Sequence, residues 1–251
     1  MTRVIMHGSS GRMGKMIASI IEEREGVEIV AGVDVYDDGK SEFPVYKKIE
    51  ECDVAADVVI DFSNAAAVDG LLDFCEAKKI PVVLCSTGLS PEQTQRVKES
   101  SKKVAILKSA NMSLGINLLI KVLKEEANRL SKEGFDIEIV EKHHNQKLDA
   151  PSGTALALAD AVNESLDEEF EYVYDRSQRR EKRPKKEIGI SAIRGGSIVG
   201  DHDVIFAGTD EVITFSHSAY SRAVFAKGAV AAAEFLNGKG PGFYTMADVI
   251  G

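Results

Sequence analysis

The short run Arg3-Val-Ile-Met6 is followed at once by Gly8-Ser-Ser-Gly11-Arg-Met-Gly14, and then by apolar residues at Met16, Ile17, Ile20 and Ile21 on one helix face. Strand, glycine turn and helix in that order constrain the fold more than anything else in the chain. The glycines let backbone approach a pyrophosphate held at the helix start. The spacing is Gly-x-x-Gly-x-x-Gly rather than the commoner Gly-x-Gly-x-x-Gly, and glycine turns also occur for purely structural reasons, so the turn alone does not decide. The next strand, Val27 to Val33, supplies the second half of the signal. It ends at Asp34, twenty residues after Gly14, where a carboxylate would accept hydrogen bonds from an adenosine ribose. A dinucleotide site follows from the two together.

Further strands are expected at Val58–Asp61, Val82–Cys85 and Val104–Leu107, separated by helical or mixed segments. One helix starts at Ser90-Pro91, where Ser caps and Pro opens the first turn. Near-continuous apolar strands such as Pro81-Val-Val-Leu-Cys85 suit a parallel sheet buried on both faces. From about residue 113 the pattern changes. An amphipathic helix from Leu114 to Leu130, with apolar positions at Leu118, Leu119, Val122 and Leu123, precedes strands at 135–140, Ile188–Ile193, Ile198–Ile205 and Val212–Ser216. An alanine-rich helix from Ser221 to Leu236 is expected to pack back on the first domain. The fold class is therefore α/β: a Rossmann-like dinucleotide-binding domain over 1–112 and 222–251, and a smaller α+β substrate and oligomerisation domain over 113–221.

Composition bounds the function. At 251 residues and 44% hydrophobic the chain can bury one large core or two modest ones, and its net charge of −9 argues against nucleic acid. No run approaches membrane-helix length, so no membrane partner is expected, and Met1-Thr-Arg-Val leads straight into a strand without room for a signal peptide. Three unpatterned cysteines suit a reduced cytoplasm. No Cys-x-x-Cys occurs and the other histidines are scattered, so no metal is expected.

The chemistry concentrates in Glu141-Lys-His-His-Asn-Gln-Lys-Leu-Asp-Ala-Pro-Ser-Gly-Thr154. The alternating residues before it read as a half-buried strand, and Ala155 to Leu166 after it as a helix. Pro151-Ser-Gly-Thr154 is expected to form that helix's first turn, with the Gly153 and Thr154 amides open to an anion. His143 and His144 sit at the strand's end, and Lys147 adds a positive charge. A group that titrates near neutrality, an ammonium and a helix N-terminus suit a small anion undergoing proton transfer.

The run His143-His144-x-x-Lys147-x-Asp149-Ala-Pro-Ser-Gly-Thr-Ala155 resembles the signature of the dihydrodipicolinate reductase family, and Gly-Arg-Met-Gly at 11–14 resembles that family's turn. The resemblance implies NAD(P)H-dependent reduction of the cyclic dicarboxylate 4-hydroxy-tetrahydrodipicolinate, with loss of water, in lysine and diaminopimelate biosynthesis. It implies His143 as proton donor with Lys147 able to assist, and His144, Gly153, Thr154 and Thr87 at the substrate. It implies cofactor contacts at Gly8, Ser9, Ser10, Gly11, Arg12, Met13 and Asp34, at Cys85, Ser86 and Thr87, and at Ser109, Ala110, Asn111 and Met112. It further implies a homotetramer assembled through the second domain's sheets. Two other readings stay open on sequence: a dinucleotide-binding sensor, which would need an output module the chain lacks, and another Rossmann-type dehydrogenase acting on an amino or hydroxy acid.

Asp34 is followed by Val35, Tyr36, Asp37 and Asp38, and three carboxylates in five residues would repel a 2′-phosphate. The family often carries a basic residue after its acidic one. Val35 departs from that pattern and points to NADH, with NADPH weaker and Lys40 or Arg12 as the cations able to rescue it. The basic run from Arg176 to Lys186 reads as a solvated loop. Arg222 is read as opening the last helix, where the resemblance implies a structural or substrate-facing role. His202 and His217 lie in strand patterns as packed residues.

Overall fold

The computed structural model of the protein describes residues 1–37 and 39–251. The chain divides into two compact units, Met1–Leu114 with Ala223–Gly251, and Gly115–Arg222. Unit 1 opens with β1 (Thr2–His7), α1 (Arg12–Glu22), β2 (Val27–Val33), β3 (Val45–Tyr46), β4 (Val58–Asp61), α2 (Val68–Lys78), β5 (Val82–Leu84), α3 (Pro91–Ser101) and β6 (Ala105–Leu107). Then come α4 (Leu114–Lys132), β7 (Asp136–His143), α5 (Gly153–Asn163), β8 (Glu171–Val173), β9 (Glu187–Arg194), β10 (Gly200–Ala207) and β11 (Val212–Ala219). The chain returns to unit 1 as α6 (Ala223–Leu236), β12 (Gly242–Tyr244) and α7 (Met246–Ile250).

The strands of unit 1 form one parallel sheet in the order β12-β6-β5-β4-β1-β2-β3. Alternate residues of β1 serve opposite layers: Val4 and Met6 join a core with α1 and α6, while Ile5 joins one with α2 and α3. Burial on both faces is why these strands read as continuous apolar runs, each large side chain contributing about 1.5–3 kcal/mol. At α3 the Ser90 hydroxyl accepts from the Gln93 amide (3.1 Å) and the Gln93 side chain accepts from Ser90 N–H (3.2 Å), a reciprocal cap. The order reverses between β1 and β4, so the crevice beyond their carboxyl ends is the ligand position this architecture offers.

Unit 2 is a mixed sheet ordered β11-β10-β7-β9-β8, with β7 antiparallel to β10 and parallel to β9. Strand β7 is central, and its residues alternate in burial. Ile137 and Ile139 pack into a core with Leu119, Leu123, Leu158 and Phe206. Glu141 and His143 follow on the same face by the two-residue period. This carries polar groups to the end of an otherwise apolar surface.

Several sequence expectations are corrected here. Helix α4 buries Ile116, Leu119, Leu123 and Ala127, whereas Leu118 is 54% exposed. Pro151 lies before the cap of α5 and outside its first turn, because Ser152 is the cap residue and accepts from Ala155 N–H at 3.1 Å. Helix α6 starts at Ala223, so Arg222 precedes it as an exposed residue. The basic run is not simply solvated. Arg183 donates to Glu138 and Asp136 (both 2.9 Å), and Arg176 pairs with Glu138 and Glu187, so the run is clamped to sheet carboxylates. The short strands β3, β8 and β12 have too few residues for a periodic signal and escaped the sequence reading.

Helix α6 approaches the segment after β6 through Gly228, where an added Cβ would lie 1.6 Å from the Met112 carbonyl oxygen. Neither backbone can yield cheaply. Gly228→Ala is expected to lower stability by about 1–3 kcal/mol, read as a lower urea midpoint, and an unchanged midpoint would contradict this packing.

Candidate active site

The glycine turn of unit 1 follows β1 directly. Gly8 has a φ of +85, and a Cβ there would lie 2.6 Å from the Phe62 carbonyl oxygen; one on Gly14 would lie 2.3 Å from the Gly8 oxygen. Only glycine lets the loop close this tightly. A cavity of about 640 Å³ opens beside it, lined by Gly8, Gly11, Asp34, Val35, Phe62, Ser63, Lys47 and Lys48 among others. Asp34 Oδ2 accepts from Ser10 N–H (3.0 Å) and Oδ1 from Tyr36 N–H (3.1 Å). Each oxygen keeps a lone pair for a hydroxyl, so the residues fit a dinucleotide's ribose and pyrophosphate.

Not every expected cofactor residue lines this cavity. Ser9 is buried and lines a second cavity, on the side of Lys15 and Phe43, together with Lys40. The Ser10 hydroxyl donates to the Tyr36 carbonyl at 2.5 Å. Arg12 is exposed at the start of α1, and Met13 packs against the core. Asp38 lies outside the described residues.

Cys85, Ser86 and Thr87 follow β5, and Ser109, Ala110, Asn111 and Met112 follow β6. Ser86 is buried, Thr87 and Ala110 are exposed, and Cys85 packs against the core. Met112 is a core side chain, which leaves only its backbone for a ligand. Lys108 joins the two loops by donating to the Ser86 carbonyl (3.1 Å). Burial holds its ammonium below the usual lysine range, against the pull of Cys85 and Asp61. Below them His7 Nδ1 sits 2.8 Å from the buried Asp61, whose Oδ1 also accepts from the Ser63 hydroxyl (2.6 Å).

In unit 2 the end of β7 presents His143, and the chain turns through His144 and Lys147 to the cap of α5. Glu141 is fully buried, with both carboxylate oxygens engaged. Oε2 lies 2.6 Å from His143 Nδ1 and 2.7 Å from Arg194 Nη1, while Oε1 accepts from Arg194 Nη2 (2.7 Å) and Ser152 N–H (3.0 Å). Burial works to raise the Glu141 carboxyl, but Arg194, His143 and the Ser152 amide hold it below its usual range. His202 packs edge-on to His143 with ring centroids 5.1 Å apart, and its Nε2 pairs with the Ser152 hydroxyl at 3.0 Å.

The anion site departs from expectation. Lys147 Nζ pairs with Asp149 Oδ1 at 2.8 Å. The Gly153 amide, at the start of α5, also bonds the Asp149 carboxylate; Lys147 first and this amide among the rest hold that carboxyl below its usual range. Gly153 and Lys147 thus converge on a carboxylate, one that the chain itself supplies. Thr154 is half-buried in the same turn, and His144, after β7, is half-buried too.

Residues 2–112 match the family described as dihydrodipicolinate reductase, N-terminus, and residues 115–250 match dihydrodipicolinate reductase, C-terminus. The chain belongs to the dihydrodipicolinate reductase family. The 4-hydroxy-tetrahydrodipicolinate reductase of Caldanaerobacter subterraneus subsp. tengcongensis is 56% identical over 100% of this chain and 98% of that relative. The enzyme of the same name from Clostridium novyi is 52% identical over the same shares. A dipicolinate-bound dihydrodipicolinate reductase from Paenisporosarcina sp. TG-14 superposes with a TM-score of 0.80 at 25% identity, covering 100% of this chain and 99% of that one. The chain is thus an oxidoreductase: it catalyses the nicotinamide-dependent reduction of 4-hydroxy-tetrahydrodipicolinate in the lysine and diaminopimelate route.

Sequence reasoning missed Glu141, Ser152, Arg194 and His202 as parts of this cluster. Arg194 lies 53 residues from Glu141 along the chain, and only the β7–β9 pairing, which sets His143 opposite Arg194, brings it in. For Glu141 a signal existed: it is two residues before His143, on the same strand face.

Burial first, and His143 next, push His202 down to about 4 against the pull of Glu141. A histidine held neutral in the fold but free to protonate near pH 6.5 when unfolded stabilises the protein above that pH, and this is lost as pH falls toward 4. The loss should reach about 3 kcal/mol. His202→Gln should flatten the stability profile between pH 6.5 and 4 in urea titrations; an unchanged slope would contradict the burial of a neutral His202.

Proposed function

We propose that unit 1 carries the dinucleotide and unit 2 the dicarboxylate, with His143 as the proton donor of the reaction. The observation that supports this most is the pairing of His143 with a buried, ionised carboxylate at a strand end, next to Lys147 and the Gly153–Thr154 turn. A reduced nicotinamide, when bound, supplies the hydride to the ring carbon that loses its hydroxyl as water. Gly8, Gly11 and the neighbouring amides would cradle the pyrophosphate, and Asp34 the ribose, with Ser9, Ser10, Arg12 and Met13 completing that loop. The loops Cys85–Thr87 and Ser109–Met112 would meet the nicotinamide end.

Lys147, His144 and the Gly153 and Thr154 amides hold the substrate carboxylates. To do so Lys147 and Gly153 must exchange the Asp149 carboxylate for the ligand's. The reduced ring is left as an enamine. Its π electrons take a proton from His143, which becomes neutral and is reprotonated from solvent. Lys147 assists by its charge. We further propose a homotetramer assembled through the unit 2 sheet and a cytoplasmic location. Exposed Val212 on the edge strand β11 and half-exposed Ile193 on β9 support the assembly.

NADH is the preferred cofactor in this reading. Asp34 follows β2 with Val35 exposed beside it, where a basic residue would serve a 2′-phosphate. Lys47 and Lys48 line the same cavity and account for a weaker use of NADPH. Comparison of kcat/KM for the two cofactors at one substrate concentration tests this. NADH should be favoured, Val35→Arg should move the ratio toward NADPH, and Lys47→Ala with Lys48→Ala should move it further toward NADH. A clear preference of the natural chain for NADPH would overturn the assignment.

His143→Gln should lower turnover about 100-fold or more while leaving NADH affinity within a few-fold, and Lys147→Ala should weaken both turnover and substrate binding. Near-normal turnover of His143→Gln at neutral pH would rule out His143 as the donor.

A further inference from the structure

The chain holds a buried carboxylate beside its proton donor that neither hydride transfer nor substrate binding requires. Glu141 has no exposed surface, yet four donors converge on it from three places: His143 on its own strand, Arg194 on β9 and Ser152 at the cap of α5. Such a group is costly to bury and survives only because it is so fully paired. We infer that Glu141, backed by Arg194, is a positioning residue for the reduction: it fixes the His143 ring with Nδ1–H inward, so that Nε2 carries the transferable proton. This rests on the assignment of His143 as donor made above.

Three further observations agree. An ionised carboxylate only accepts, so the 2.6 Å contact requires Nδ1 to be the donor. Gly200 on β10 leaves room at the other nitrogen: a Cβ there would lie 3.0 Å from Nε2. Arg194 Nη2 also donates to the Asp149 carbonyl (2.6 Å), which ties the guanidinium to the loop between Lys147 and the α5 cap. The same arginine therefore braces the donor's carboxylate and the loop bearing the substrate-binding lysine.

The charges that face His143 have opposed effects. A carboxylate at Nδ1 attracts a cationic ring and a guanidinium behind it repels one; Lys147, a further cation, lies in the following loop. Asp149 offsets Lys147 through their ion pair. His202 on β10 stays neutral, His217 stands opposite it on β11, and His144 adjoins the donor in the chain. Removing the carboxylate and removing the guanidinium must therefore act in opposite senses on the pH at which the donor loses its proton.

The experiment is the pH profile of kcat and KM for the purified protein with NADH and substrate, in the natural chain, Glu141→Gln, Arg194→Gln, Arg194→Lys and His143→Gln. Glu141→Gln should lower kcat about 10-fold or more at pH 8 and leave KM within about 3-fold. Its basic limb should move toward acid by about one pH unit or more. Arg194→Gln should move that limb toward alkali, and Arg194→Lys should restore it in part. Glu141→Asp, which keeps the charge and withdraws it by one methylene, reads the same limb if Glu141→Gln does not fold. A limb that stays in place, or moves the same way in the glutamate and arginine variants, would overturn the positioning role. His143→Gln separates the two ideas: if the limb persists there, the donor assignment has failed, whereas a limb lost there but unmoved by Glu141→Gln sinks only the role of Glu141.

Discussion

The buried Glu141 carboxylate is the constraint around which unit 2 is arranged. A charge without solvent contact needs every lone pair answered, and the answers come from elements far apart in sequence: β7, β9 and the α5 cap. Pairing β7 with β9 in parallel sets Arg194 opposite His143, and capping α5 with Ser152 puts that residue's own amide on Oε1. The carboxylate thereby fixes a strand register, a helix start and an imidazole at once. Withdrawing any one donor leaves the others pointed at an underpaired charge.

Unit 1 solves a different problem with different material. There the chain must turn tightly between β1 and α1, so the loop is made of glycines whose missing side chains would strike Phe62 or Gly8 backbone. Asp34 is held by amides from both sides before any hydroxyl arrives. In the proposed function recognition there is by backbone shape and one anchored carboxylate. Unit 2 instead needs particular side chains at particular atoms, and its motif is correspondingly long and contiguous.

That difference explains what the sequence disclosed. The apolar strands of the parallel sheet and the glycine turn are local patterns, so Val4, Val58 and Val82 announced their strands and Gly8, Gly11 and Gly14 their turn. His143 and Lys147 stood out because their residue types at a strand end are chemically suggestive. Arg194 did not, since nothing local marks an arginine that will meet a glutamate across two strands. The Gly153 amide was expected to await an outside anion, and Asp149, four residues earlier, supplies one instead. The periodicity of α4 misled at Leu118, which stays 54% exposed beside the buried Leu119. Arg176 and Arg183 looked solvated because their partners, Glu138 and Glu187, become neighbours only in the folded sheet.

A buried, ionised Glu141 holds His143 with its proton on Nδ1. Nitrogen-15 NMR of histidine-labelled protein tests it most directly, with the His143 signals among the five histidines identified by their absence in His143→Gln. At high pH, where the ring is neutral, a protonated Nδ1 and a bare Nε2 are expected. The opposite tautomer, with Nε2 protonated and Nδ1 bare, would contradict it.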